Sequence, residues 1–476
     1  MNLKQVEVLV NRAFQEHRIA SPDCYGYIHF DLEHEIQHGL CWKERLLCDT
    51  CGYCSDFVKL YEEVSAANSL PGVKAAKPNI GIQVALSKLP VGPDAIRTMC
   101  MATNIPPPSG SGMQKAANKT LELIKVINEK DMSRRREEIK TINEVRGNKR
   151  NVVSVEGDGM YNNPLCSGVG KTPFQPATQA TYVVCENCTS KKQVISLSIH
   201  NKLCSKRHDV SDSKACLAQS CSRNTPFEMS IGNEKEWSKE CLLDMKKDDL
   251  EVEFITTDPD SAAFRASEEL FERNITSTRP YHLIDTRHLS ENQRKFVNKS
   301  EFVNKMMPGN TKYQRDLMQS RFSIDISKRC QAEFDKSFEM HAGNIGKIIR
   351  SLSYTSEAIA ACYKGDHTKC LKHSLACNGG NRNWIKRSPY LDQFPNFKIP
   401  ESGDNTENLL RCINYRLGPS MLRKTKFNSN TQKSEAVNKC LRRSLPRDTI
   451  FARNLLDTQN SNIQKVCSLT NCKVNS

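Results

Sequence analysis

A change of hydrophobic period at residue 151 constrains the fold more than any other feature of the sequence. Before it, from Met113 to Arg150, apolar residues recur about every 3.6 residues, as on one face of a helix. After it come three short β-branched runs, NVVSVEGDG, ATYVVC and VISLSI. A helix around Glu234 to Met245, a strand LEVEFITT, a helix SAAFRASEELFER and a strand near YHLID follow. The order β-β-β-α-β-α-β predicts an α/β (α+β) fold that begins with an antiparallel meander.

The period change also divides the chain of 476 residues. Residues 1–75 are predicted to form a Cys-rich N-terminal segment. Residues 76–150 are predicted to form a basic helical segment, in which we interpret Met113 to Arg150 as a helical hairpin. The mixed sheet occupies 151–476, with a Cys-rich hairpin at 185–221 and a large helical insertion at about 295–425.

Charge and hydropathy limit the classes of partner. Lys and Arg number 69 against 54 Asp and Glu, which gives a net charge of +15 and favours a polyanion such as nucleic acid. No run approaches the roughly 18 apolar residues that a membrane-spanning helix needs, so we expect no membrane partner. The N-terminus lacks the apolar segment of a secretory signal, and the 21 cysteines are therefore interpreted as thiols and zinc ligands.

Two carboxylates follow apolar β runs at strand ends. Asp158 lies in VVSVEGDGMYNNP and Asp258 lies in VEFITTDPDS. If the first and fourth strands are neighbours, the two side chains meet and offer the hard oxygen ligands that Mg²⁺ or Mn²⁺ takes. The alternative is that both are ordinary turn residues, as Asp-Gly and Asp-Pro commonly are.

A third carboxylate lies on a predicted amphipathic helix within residues 430–448. Glu435 shares one helix face with an amide and two cations, Asn438, Lys439 and Arg442. Taken alone, this pattern also fits a solvated charged face.

Several longer segments show that the chain resembles the Mutator-like transposases. They are CDTCGYC, VSVEGDGMYNN, GVGKTPFQPATQATYVVCEN, ITTDPDSAAF, HLIDTRHLSENQRKF and TQKSEAVNKCLRRSLPR. The resemblance implies an RNase H-like catalytic domain with a DDE triad of Asp158, Asp258 and Glu435, in which Asp260 competes with Asp258. The family often has Cys-x-x-His after the second acid, whereas this chain has Asp285-Thr-Arg-His288.

The implied activity is two-metal phosphoryl transfer that cuts and joins transposon DNA ends, with Mg²⁺ or Mn²⁺ as cofactor. The expected partners are double-stranded DNA and further copies of the chain on that DNA, and nuclear residence follows from the substrate. One alternative is a catalytically decayed or domesticated copy that binds DNA or protein through zinc sites. The tail after Asn454 loses the amphipathic pattern and is typical of a truncated or altered end. A minor alternative is a host nuclease of the same superfamily.

Three Cys and His clusters have spacings that fit structural zinc. The first is Cys48, Cys51 and Cys54, with His38 and Cys41 upstream; the second combines Cys185 and Cys188 with Cys204, His208, Cys216 and Cys221; the third is Cys362, His367, Cys370, His373 and Cys377. The alternative for each cluster is a set of buried free thiols.

Two basic runs are candidate DNA contacts, because Lys and Arg neutralise phosphates. They are Arg134, Arg135 and Arg136 in the helical segment, and Lys439, Arg442 and Arg443 beside Glu435. A solvated charged face is the alternative for both.

Overall fold

A computed structural model describes most of the chain. The described residues are 2–64, 74–87, 89, 91–161, 178–202, 223–226, 229, 231–257, 262–377 and 398–444, without the side chains of 443 and 444. Asp258, Asp260, Cys204, His208, Cys216, Cys221 and the tail after Asn454 therefore lie outside the described residues.

The N-terminal module combines one helix with two small antiparallel sheets. Helix α1 (Leu3–Ala20) begins at Asn2, whose side chain accepts a hydrogen bond from the Lys4 amide. The strands are β1 (Ile28–Phe30), β2 (Ile36–His38), β3 (Cys41–Glu44), β4 (Leu46–Cys48) and β5 (Val58–Lys59). β1 pairs with β4, and β3 lies between β2 and β5. Leu9 and Ala13 of α1 pack on Leu46 and Leu60, which holds the helix to the strands.

Three helices connect this module to the main sheet: α2 (Lys77–Leu86), α3 (Pro93–Ala102) and α4 (Gly110–Val145). The expected hairpin over the basic segment is wrong, because α4 is one helix of 36 residues. Its N-cap Ser109 accepts from the Gly112 amide, and no proline or glycine interrupts it after Gly112.

The main sheet confirms the element order predicted from the sequence. Its strands are β6 (Val152–Tyr161), β7 (Gln179–Glu186), β8 (Val194–Asn201), β9 (Glu251–Thr257) and β10 (Tyr281–Ile284), arranged β10-β9-β6-β7-β8. β6, β7 and β8 form the antiparallel meander, and β6 pairs in parallel with β9. The first and fourth strands of the sheet are thus neighbours.

Each face of the sheet has its own hydrophobic core. Helices α5 (Glu234–Lys247) and α6 (Ala262–Glu272) cover one face together with the end of α4, and Trp237, Cys241 and Met245 are buried there as predicted. Helix α14 (Gln432–Ser444) covers the other face, where Val437 and Leu441 pack on Val183 and Cys185.

A helical block fills the predicted insertion. It comprises α7 (Thr286–Lys299), α8 (Glu301–Met306), α9 (Lys312–Met340), α10 (Ile345–Tyr363), α11 (Thr368–His373), α12 (Gly403–Leu417) and α13 (Pro419–Lys424). Its core is aromatic and aliphatic, with Phe322, Ile326, Phe334, Leu352, Ile359, Leu409 and Ile413 all essentially inaccessible. The block leaves the sheet after β10 and returns to it through α13 and α14.

Candidate active site

The candidate site lies on the sheet face that α14 covers. On β6 the even-numbered side chains point to that face, because side chains alternate along a strand. Two of them are acidic: Glu156, opposite Cys185 on β7, and Asp158, opposite Val183. Both contact α14, so the first predicted acid lies against the helix that carries the third.

Asp158 and Glu435 are connected through one turn of α14. The Asn438 amide donates a hydrogen bond of 2.8 Å to Asp158 Oδ2. Glu435 precedes Asn438 by three residues, which is about 4.5 Å along the helix axis. Within the described part of the chain, Asn438 Oδ1 is buried without a hydrogen-bond partner, so the amide is oriented by its contact with the acid. The structure therefore brings the first and third predicted acids to one end of one helix.

Glu156 has a different environment. Its side chain is fully buried, accepts from the Ser434 amide at 2.9 Å, and lies 3.3 Å from Lys192 Nζ. Burial raises the pKa of this carboxyl, and the nearby Lys192 opposes the shift. Because the carboxylate is enclosed and accepts from the first turn of α14, it fastens the helix to the sheet. The sequence pattern did not identify Glu156 as part of the site. The local signal for it was an acidic residue within a β-branched strand.

Asp285 fastens the same helix from the other side. It caps α7, and its Oδ1 accepts from the amides of Arg287 and His288 at 2.6 and 3.1 Å. Its Oδ2 accepts from the amide and hydroxyl of Thr431 at 2.6 and 2.8 Å. Four donors occupy about all the lone-pair positions that a carboxylate offers. Asp285 lies close enough to His288 and Glu435 to share an ion with them, yet its oxygen atoms are already engaged.

His288 faces Glu435 across the cleft between α7 and α14. Its Nε2 lies 3.2 Å from Glu435 Oε1, and the two side chains are 41% and 43% exposed. The Thr431 hydroxyl lies 3.3 Å from the same Glu435 oxygen atom. Since the one Thr431 hydroxyl proton is donated to Asp285 at the shorter distance of 2.8 Å, His288 orients the Glu435 carboxylate, which is still open to solvent, as a group that receives a ligand must be.

The basic residues divide into accessible and buried ones. Arg135 and Arg136 have side chains only 8% and 5% exposed, and they bond to the Val194 and Ile195 carbonyls and to acidic side chains. Because their side chains are buried, Arg135 and Arg136 are not available for the predicted contacts with DNA. Arg134 is 57% exposed and pairs with Asp131 and Glu138. Lys439 is exposed, Arg442 is half-buried, and the side chain of Arg443 is not among those described.

A first Cys and His group lies in the N-terminal module, with a ligand set that differs from the predicted one. Cys48 and Cys51 converge with His17 and Cys24, and the four ligand atoms lie within 4.8 Å of one another. Cys54 lies outside this group, and its thiol donates to the Ser55 carbonyl. Of the upstream candidates, Cys41 packs on Tyr61 and Ala76, and the His38 ring stacks on Tyr61. A hydrogen bond from Ser21 lowers the pKa of Cys51 to about 7.

The second predicted cluster does not assemble among the described residues. Cys185 packs in the core beneath α14, whereas Cys188 packs against the core on the opposite face of the sheet. Burial raises the pKa of the Cys188 thiol, as expected of a thiol in apolar surroundings.

The third cluster assembles from four of its five predicted members. Cys362, His367, Cys370 and Cys377 bring their ligand atoms within 4.8 Å of one another. His373 is not a member, because its ring stacks on Tyr354. Beside the group, the buried pair Arg329 and Glu333 holds Ser374, which in turn receives the Cys377 amide.

The parallel pair β6 and β9, the antiparallel meander and the helices on both faces define an α/β protein, in which Glu156 and Asp158 of the central strand face α14. A family model for Mutator-like transposases matches residues 1–377, about four fifths of the chain. The chain therefore belongs to the Mutator-like transposase family. No curated protein sequence matches it significantly. In the described part of the chain, no helix has the length and apolar character needed to cross a membrane.

Proposed function

We propose that the protein cuts and joins DNA strands by two-metal phosphoryl transfer, with Asp158, Asp258 and Glu435 as the acids of a DDE triad. The observation that carries the proposal is the docking of α14, which holds Glu435 one helical turn from the Asn438–Asp158 contact. Asp258 follows the last residue of β9 directly in sequence, and β9 is the parallel neighbour of β6. The strand order supports assignment of the sheet to the RNase H-like class.

The residues present fit Mg²⁺ or Mn²⁺, because both ions prefer carboxylate oxygens and keep several waters. Bound there, such ions would lower the pKa of the attacking hydroxyl and stabilise the leaving oxygen. The chain itself orients the acids: Asn438 holds Asp158, and His288 holds Glu435. Asp285 and Glu156 maintain the position of α14 without facing the substrate.

Asp158→Asn tests the catalytic assignment, because it preserves shape and removes charge. With supercoiled plasmid as probe and Mg²⁺ or Mn²⁺ present, we expect cleavage to fall by at least about 100-fold, since several kcal/mol of charge stabilisation are lost. Asp404→Asn is the matched control, because Asp404 is exposed at the start of α12.

Cleavage by Asp158→Asn at the wild-type rate would contradict the site. A wild-type chain that binds the plasmid but cuts it with neither ion would support the decayed-copy alternative instead. Binding itself should weaken as salt rises, since a chain of net charge +15 releases counterions from DNA. Assembly on DNA and nuclear residence follow from the same proposal.

The two Cys₃His groups are proposed as structural zinc sites. Zinc–sulfur bonds of about 2.3 Å and zinc–nitrogen bonds of about 2.0–2.1 Å place tetrahedral ligands about 3.5–3.8 Å apart. In the C-terminal group, His367 Nδ1 lies 3.3 Å from the Cys362 sulfur and 3.6 Å from the Cys377 sulfur. In the N-terminal group, the Cys24 and Cys48 sulfurs are 3.7 Å apart and His17 Nε2 is 3.2 Å from the Cys51 sulfur. In each group, one of these separations matches that of a tetrahedral zinc site, the other is 0.2–0.3 Å shorter, and all four ligand atoms lie within 4.8 Å of one another.

Native mass spectrometry of the full chain tests these sites. We expect Cys51→Ser and Cys370→Ser each to lose one zinc ion relative to wild type, and the double variant to lose two. Cys100→Ala is the control, because Cys100 is buried in α3 and belongs to neither group. Unchanged zinc content in either single variant would eliminate the corresponding site.

A further inference from the structure

A pocket of about 470 Å³ opens at the N-terminal module. Strand β3, residues 60–62, the start of α2 and residues 104–106 enclose it. Apolar side chains form most of its wall: Trp42, Leu60, Pro78, Ile105 and Pro106. The pocket is separate from the acids on the main sheet and from both Cys₃His groups.

Two buried polar groups in this wall have no hydrogen-bond partner among the described residues. Glu44 is 6% exposed and its Oε2 makes no hydrogen bond to them; Tyr61 is 4% exposed and its hydroxyl makes none. A buried carboxylate oxygen without a donor is costly, and such groups in native proteins are nearly always paired. A bound ligand could therefore supply the hydrogen-bond donor that Glu44 and Tyr61 lack.

The charges around the pocket indicate the sign of that ligand. Three carboxylates line it, Glu35, Glu44 and Glu62, against the single cation Lys77. Lys77 is committed to Glu62 at 2.5 Å, and the Asn2 amide occupies the other Glu62 oxygen atom. Burial together with Glu35 and Asp31 raises the pKa of Glu44, as expected of an acid without a counter-ion. In a chain of net charge +15, this is a local anionic, apolar site.

We propose that the pocket binds an alkylammonium group, such as the side chain of a lysine presented by another protein. An ammonium has three donors, which match the Glu44 carboxylate and the Tyr61 hydroxyl. The Trp42 ring offers a cation–π surface, and Leu60 and Ile105 accept the apolar stem. Binding of a basic protein at this site would be a function additional to the proposed DNA strand cleavage.

Calorimetric titration of the full chain tests the proposal, with the purification tag at the C-terminus because Asn2 lines the pocket. The probes are a short neutral peptide with one central lysine, the same peptide with acetyl-lysine, and spermidine. We expect the lysine peptide to bind and the acetyl-lysine peptide not to bind. Glu44→Gln should weaken binding at least about tenfold, because a charge-assisted hydrogen bond is lost.

Glu129→Gln is the matched control, since Glu129 is exposed on α4 far along the chain from the pocket. Trp42→Leu is a second variant that keeps Glu44 in place, and it should also weaken binding. Equal binding of the lysine and acetyl-lysine peptides, no binding of any probe, or full affinity in both variants would overturn the proposal. Binding of spermidine without the lysine peptide would support the ammonium site and identify a free polyamine as its source. Plasmid cleavage should be unchanged in Glu44→Gln, so the two proposals fail separately.

Discussion

Asp325 illustrates how one partly buried carboxyl makes stability depend on pH. It lies on α9 and accepts a 2.8 Å hydrogen bond from the Tyr363 hydroxyl of α10. Burial raises its pKa from 3.8 to about 6, although Tyr363 and Arg329 oppose the shift. A raised pKa means that the folded state binds the proton more tightly than the unfolded state does. The resulting stability is present below about pH 4 and is lost as pH rises through 6.

Asp325→Asn should therefore stabilise the protein at pH 8 and have little effect near pH 4. The asparagine oxygen atom still accepts from Tyr363, whereas the cost of burying a charge disappears, which amounts to at most about 3 kcal/mol. Urea unfolding of both proteins across pH 4.5 to 8 measures the difference. The exposed Asp404→Asn should shift neither curve, and a constant difference at every pH would contradict the assignment.

The particular residues of each zinc group were harder to predict from the sequence than the residue types that ligate zinc. The sequence indicated zinc ligation near Cys48 and Cys51, because Cys-x-x-Cys is a local pattern. It gave no sign of His17, which enters the group only because Leu9 and Ala13 dock α1 on the strands. Glu156 was missed for a similar reason: its partner Ser434 lies 278 residues away. Contacts of this kind depend on tertiary packing and leave no local pattern.

At the scale of elements, the strands were predicted well and the basic helix was not. The β-branched runs identified β6, β7 and β8. Both faces of the sheet are covered, and the alternating serines of VISLSI, Ser196 and Ser198, are buried against α5. The hairpin over 113–150 was wrong because hydrophobic period shows that a segment is helical but not where it turns. The absence of a proline or glycine between Met113 and Val145 was the stronger signal.

Arg134 and Arg136 on α4 differ in burial, and this difference predicts different effects when each is replaced by alanine. Arg136 anchors the helix to β8 and α5, because it bonds to the Ile195 carbonyl, Asp244 and Asp248. Arg136→Ala removes the donor to the buried Ile195 carbonyl and two ion pairs with partly exposed acids, and should destabilise the protein by about 2–3 kcal/mol. Arg134→Ala is the matched control and should cost under about 1 kcal/mol, because Arg134 is mostly exposed. Urea unfolding distinguishes the two, and equal losses would show that α4 is not anchored there.

Asp285 connects the sheet, the helical block and α14. This residue follows β10, caps the first helix of the helical block and accepts from Thr431 at the start of α14. Sheet, helical block and the helix carrying Glu435 thus meet at one buried carboxylate. Local chemistry could identify Asp285 as a helix cap, but its contact with Thr431 spans 146 residues and could not be read from the sequence.

Asp285→Ala should uncouple these three parts. Loss of four accepted hydrogen bonds, with buried donors left unpaired, should cost about 3–5 kcal/mol and release α14 from the sheet. We expect limited proteolysis to cut between residues 425 and 445 faster than in wild type, and unfolding to change from one transition to two. Asp316→Ala is the control, because Asp316 accepts from Asn304 on the surface of the helical block. If Asp285→Ala unfolds in one transition with α14 still protected, the junction is not what holds the helix carrying Glu435 in place.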